Sequence, residues 1–87
     1  MRRDKETALS TGSRPPAGPT FVKLTVKELQ VLEWVAIGKS AWEISRIQGC
    51  SEATVYFHTS NIRRKFGVHS LRTALVIAIR EGIISLG

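Results

Sequence analysis

Between Tyr56 and Lys65 the chain reads Tyr56-Phe57-His58-Thr59-Ser60-Asn61-Ile62-Arg63-Arg64-Lys65. At helical spacing Ala53, Phe57, Ser60 and Arg64 share one face, flanked by Tyr56 and Arg63. Val55, Thr59, Ile62 and Phe66 form a narrow stripe on the opposite face. The outward set combines hydroxyls, aromatics and guanidiniums, and Glu52 is the only acid on this segment. Such a face suits the acceptors on base edges and the oxygens of phosphates. A large aromatic like Phe57 on the polar side of a helix can meet a thymine methyl. Two plainer readings stand beside this one. Arg63-Arg64-Lys65 can be a solvated triplet that complements the negative end of the helix dipole, and Phe57 can tuck against the next helix.

Other chemistry finds little support. His58 and His69 are eleven positions apart, with no carboxylate at helical spacing to either. One cysteine and two histidines are too few for a closed structural zinc site. No serine has a histidine and an acid at a recognisable spacing, and no phosphate-loop or dinucleotide signature occurs. The expectation is therefore a protein that is not an enzyme, with no cofactor and no metal. His58 reads as a packing or phosphate-contacting residue, and Cys50 as a small buried apolar one. Trp34 and Trp42 read as core or semi-core anchors, with the alternative that Trp42 faces a neighbouring domain in a longer protein.

The elements that must carry the basic face are well punctuated. The chain has 87 residues and a net charge of +6, which fits one small basic domain. Residues 1–20 contain all three prolines and read as a flexible tail or linker, leaving 21–87 as the folded part. After that, capping residues and glycines bracket four segments: Thr25 with Gly38, Ser40 with Gly49, Ser51 with Gly67, and Ser70 with Gly82. Thr25-Val26-Lys27-Glu28 and Ser40-Ala41-Trp42-Glu43 are capping boxes. These signals predict helices over about 26–37, 41–48, 52–66 and 71–81. Leu29, Leu32, Val35 and Ala36 are the expected inward face of the first, Ile44 and Ile47 of the second, and Leu71, Ala74, Leu75 and Ala78 of the fourth. No segment alternates cleanly enough to demand a strand. Only Gly49-Cys50-Ser51 separates the second helix from the third, which makes a helix-turn-helix. In that motif the second of the two helices enters the DNA major groove.

Residues 24–84 resemble the DNA-binding domain of LuxR-type bacterial transcription regulators. The likeness runs through Leu24-Thr25, Glu28, Val31-Leu32, Ala36-Ile37-Gly38-Lys39-Ser40, Glu43-Ile44, Ser51-Glu52, Thr54-Val55, His58, Asn61-Ile62, Lys65-Phe66-Gly67-Val68 and Ala74. Trp34 to Lys39, Trp42 to Ser45 and Cys50 to Ala53 look closest to quorum-sensing members. The resemblance implies an all-α, compact four-helix LuxR-type helix-turn-helix fold with 52–66 as recognition helix. Carried over by position, base contacts fall on Tyr56, Phe57 and Ser60, and Arg64 joins them by its face. Phosphate contacts fall on Lys39, Thr54, Arg63 and Lys65, with His58 possible. The sequence departs from the family where Gln48 and Cys50 precede the turn serine, and where Leu71 replaces an arginine. The length leaves either an excised output domain or a short stand-alone regulator, because the family's input domain does not fit in 20 residues.

The family also uses its fourth helix for homodimer contact. Here that helix carries more isoleucine and valine than one small body can bury, which points to Val76, Ile77, Ile79 and Arg80 as a self-association surface. The opposing reading is that Ile83 and Ile84 fold back and cover it. The expected partners are double-stranded DNA and a second copy, in a bacterial cytoplasm, with no membrane span and no small-molecule ligand assignable to these residues. The alternative function is a stand-alone interaction module that heterodimerises with, and modulates, a full-length LuxR-type regulator.

Overall fold

The computed structural model describes residues 22–85; the expected tail over 1–20 lies outside the described residues. Four helices follow in order: α1 (Val26–Ala36), α2 (Ala41–Gln48), α3 (Glu52–Phe66) and α4 (Leu71–Arg80). No strand occurs among the described residues. The first and last helices each end one residue earlier than expected, at Ala36 and Arg80.

The helix starts are where the capping residues put them. The Thr25 hydroxyl accepts from the Glu28 N–H at 3.1 Å, and the Glu28 carboxylate accepts from the Thr25 N–H at 3.0 Å. Ser40 and Glu43 repeat this exchange at 3.1 and 2.8 Å. Ser51 and Ser70 accept from Thr54 N–H and Thr73 N–H. Each bond satisfies a donor that a helix start leaves free. Gly49 closes α2 in the left-handed conformation, at φ 68° and ψ 39°. A side chain is disfavoured in that conformation, so glycine allows the chain to turn directly into α3.

The core joins all four helices. Val31 and Leu32 of α1, Ile44 of α2, Val55 and Ile62 of α3, and Ala74 and Ala78 of α4 are buried together with Ile84. Burying side chains of this size contributes about 1.5–3 kcal/mol each for the larger ones. The third helix packs on each of the other three, so its inward stripe is the centre of the domain. Val55, Thr59 and Ile62 are buried as the spacing predicts, and Phe66 is half-buried. The buried Thr59 hydroxyl donates to the Tyr56 carbonyl at 3.0 Å, so it is not an unsatisfied polar group.

Two expectations about the apolar faces need correction. Trp42 is 57% exposed, with the Arg46 guanidinium 5.6 Å from its ring centroid. Ile47 is exposed while Ser45 is buried, its hydroxyl donating to the Trp42 carbonyl at 2.6 Å. With only eight residues, α2 buries Ile44 and Ser45 at its centre and leaves both flanks outside. Trp34 is half-buried against the core, as expected; Cys50, expected to be buried, is only half-buried there. In α1 the fully buried pair is Val31 and Leu32, with Leu29, Val35 and Ala36 only partly covered.

Candidate nucleic-acid interface

With its inward stripe committed to the core, α3 presents Tyr56, Phe57, Ser60 and Arg64 to solvent. Tyr56 is 57% exposed and Phe57 64%, so neither aromatic is hidden against α4. The Phe57 ring lies 5.9 Å from the His58 ring. Glu52, in the first turn, is the only carboxylate on the helix.

The three cations at the end of α3 go to three different places. Arg63 is half-buried, and one of its terminal nitrogens donates to the Ser60 hydroxyl at 3.2 Å. It lines a cleft of about 290 Å³ with Lys39 and Tyr56, floored by Ile44 and Val55. Arg64 is exposed and donates to the Asn61 side-chain oxygen at 3.0 Å. Lys65 turns back to α1: its ammonium lies 2.7 Å from the Glu28 carboxylate and 3.0 Å from the Lys23 carbonyl. The resemblance implies a DNA-phosphate contact for Lys65; in the structure its ammonium meets two internal oxygens. The reason is position. Lys65 lies on the flank of α3 that faces α1, and that facing cannot be read from a run of three basic residues.

Glu28 is buried, and burial pushes its carboxyl up; the Lys65 hydrogen bond, the Thr25 N–H and the charges of Lys65 and His58 outweigh this and hold it below its ordinary value. It forms the one ion pair among the described residues. On the exposed side of α2, the Ser40 N–H lowers the Glu43 carboxyl in the same way.

Thr54 is exposed near the α3 start and His58 is half-buried on the α1-facing flank, so these two and Lys39 stand on both sides of the outward face. The self-association residues divide. Val76 and Arg80 are exposed and Ile77 is half-buried, while Ile79 packs on the core. Ile84 does fold back into the core, its N–H directed at the Ala78 carbonyl, yet Val76 stays 46% exposed. A larger hollow of about 660 Å³ lies between α1 and α2, over Trp34, Ile37 and Ile47, and takes no residue from α3. No group of metal-ligating residues occurs among those described. No described helix is long and apolar enough to cross a membrane.

A core-anchored third helix with an exposed aromatic and basic face, joined to α2 by a glycine turn, defines a helix-turn-helix DNA-binding domain. Residues 22–78 match the model of bacterial regulatory proteins of the luxR family, and the chain belongs to that family. It is 48% identical over 62 residues to the transcriptional activator protein VanR of Vibrio anguillarum, covering 71% of this chain and 26% of VanR. It is 41% identical over 63 residues to the quorum-sensing regulator RhlR of Pseudomonas aeruginosa, covering 72% of this chain and 26% of RhlR. The chain thus spans about a quarter of the length of these relatives. The solved structure of the transcription factor GerE superposes with a TM-score of 0.71 at 33% identity, covering 74% of this chain and 96% of GerE. Four helices in a LuxR-type arrangement are the fold, and the chain is a DNA-binding transcription-regulator domain rather than an enzyme.

Proposed function

We propose that the domain reads a specific DNA sequence by laying α3 in the major groove, and that it binds a two-fold site as a dimer through α4. The observation that carries the first part is the outward face of α3, where Tyr56 and Phe57 stand exposed beside Arg64 with no acid beyond the first turn. Tyr56, Phe57, Ser60 and Arg64 contact base edges. Lys39, Thr54, His58 and Arg63 contact phosphates, which set the register but carry little sequence information. We assign Lys65 instead to holding α3 against α1, because its ammonium is shared by Glu28 and Lys23. The dimer part rests on Val76, an exposed aliphatic on the outer side of α4 beside Arg80. The name of RhlR supports a place in quorum-sensing regulation.

Selection from random duplexes, paired with sedimentation, tests the proposal. The expected result is an enriched inverted repeat bound by two copies, with Tyr56→Ala and Ser60→Ala altering the enriched bases. Binding that is equal for all duplexes would sink the sequence-reading part. The interaction-module reading draws on the same exposed Val76. It predicts that Val76→Glu abolishes modulation of a full-length relative while Tyr56→Ala and Ser60→Ala change nothing.

A further inference from the structure

We infer that Asn61 is a specificity-determining positioning residue: it fixes the guanidinium of Arg64 so that a ready-made fork of donors faces a guanine. This rests on the proposed reading of α3 as the helix that contacts bases. Asn61 carried no role in base or phosphate contact from position alone. The structure places its side-chain oxygen 3.0 Å from a terminal nitrogen of Arg64, one turn further along the helix.

Three observations make this pair different from its neighbours. First, Arg64 is the only exposed cation of the three that end α3; Arg63 and Lys65 are half-buried on opposite flanks. Second, Arg64 has no carboxylate partner among the described residues, since the one ion pair joins Lys65 to Glu28. Third, Asn61 is half-buried and so less free to swing than the side chain it holds. A neutral amide oxygen takes one donor and leaves the full positive charge on the guanidinium. Arginine has five N–H donors in a planar fork, so several remain for the paired acceptors that guanine shows in the major groove.

The benefit lies in what binding no longer has to order. Fixing a long flexible side chain at an interface costs affinity. An arginine already held when DNA arrives loses less freedom, and its plane is set before contact. The gain appears only where both acceptors are correctly placed, so it is read out as preference at one base pair. A carboxylate at position 61 would hold the fork as well, but would repel the DNA phosphates.

Random-duplex selection with wild type, R64A, N61A, N61D and the R64A/N61A double variant tests the assignment. Circular dichroism melting of each variant confirms the fold. R64A is expected to lose preference at one base pair of each half-site by about 10-fold or more. N61A should weaken preference at that same base pair by several-fold, with non-specific affinity and its salt slope unchanged because no charge is removed. The double variant should match R64A, and N61D should restore the preference at lower total affinity. The inference is overturned if N61A acts at another base pair, lowers all sequences equally, does nothing, or adds to R64A. It also falls if R64A weakens every duplex alike, since Arg64 is then a phosphate contact; DNA binding through α3 survives that outcome. Absence of any sequence preference in the wild type would remove the reading of α3 itself.

Discussion

The outer faces of α3 and α4 both leave large apolar side chains in water, but in different company. On α3, Tyr56 and Phe57 stand among hydroxyls and the exposed guanidinium of Arg64. On α4, Val76 stands between Arg72 and Arg80, with Ile77 half-covered beside it. An aromatic edge set among donors matches a surface that is both stacked and rich in acceptors, as a DNA groove is. A lone aliphatic near the middle of a short helix matches a like surface, and two-fold symmetry supplies one from a second copy. Exposure alone therefore says little. The neighbours of an exposed apolar group distinguish the partners.

The largest effect expected from breaking this comparison comes from the α3 side. Replacing Arg63 and Arg64 together by alanine should lower duplex affinity by about 100-fold near physiological salt and reduce the salt slope by about 1, because only Arg63 is assigned to a phosphate. Sedimentation of the free protein should be unchanged. A matching loss of self-association would show that the two faces are not independent.

Glu28→Gln separates the internally paired cation from the ones proposed to face DNA. It removes the charge that Lys65 pairs with at a largely buried site and should cost about 1–3 kcal/mol in denaturant unfolding. The capping bond survives, because glutamine also accepts from the Thr25 N–H. The pH dependence follows from the lowered Glu28 carboxyl. Its stabilisation is complete above the unfolded value of about 4.3 and is lost as pH falls through the lower folded value. The variant should therefore show a flatter acid limb than wild type. An unchanged acid limb would mean that Glu28 titrates normally in the folded protein.

Val76→Glu attacks the other face. It should weaken binding to an inverted repeat by about 10-fold, or about 1.4 kcal/mol, while binding to an isolated half-site stays as it was. Equal losses on both duplexes would tie Val76 to DNA contact or to folding. The smallest effect belongs to the joint between the two helices of the motif. Gly49→Ala meets no atom within 4 Å, so only backbone strain remains, about 1 kcal/mol, read as a lower melting temperature with unchanged base preference.

Local signals were legible in the sequence. Both capping boxes, all four helix starts and the α3 core stripe follow from residues three or four positions apart, and the structure forms each of them. What needed the third dimension was which side of a helix meets which neighbour. Trp42 and Ile47 look like core residues by type, but the two-turn helix fully buries Ile44 and Ser45 and packs Ala41 against the core, leaving Trp42 and Ile47 outside. Arg63, Arg64 and Lys65 look alike as a run. Only the packing of α1 against one flank of α3 turns Lys65 toward Glu28 and leaves Arg64 outside. The helical repeat does place Lys65 with Thr54, His58 and Asn61 on one flank, yet nothing local says that a buried glutamate waits there.

That glutamate links two events that are far apart in the chain. One Glu28 oxygen accepts both the Thr25 N–H that starts α1 and the Lys65 ammonium that ends α3. Nucleating the first helix and seating the last turn of the third are therefore coupled through a single atom. A partly folded species with α3 displayed but α1 frayed forfeits both contacts at once. Loss of DNA binding and loss of helix signal should then coincide on heating, as one all-or-none transition.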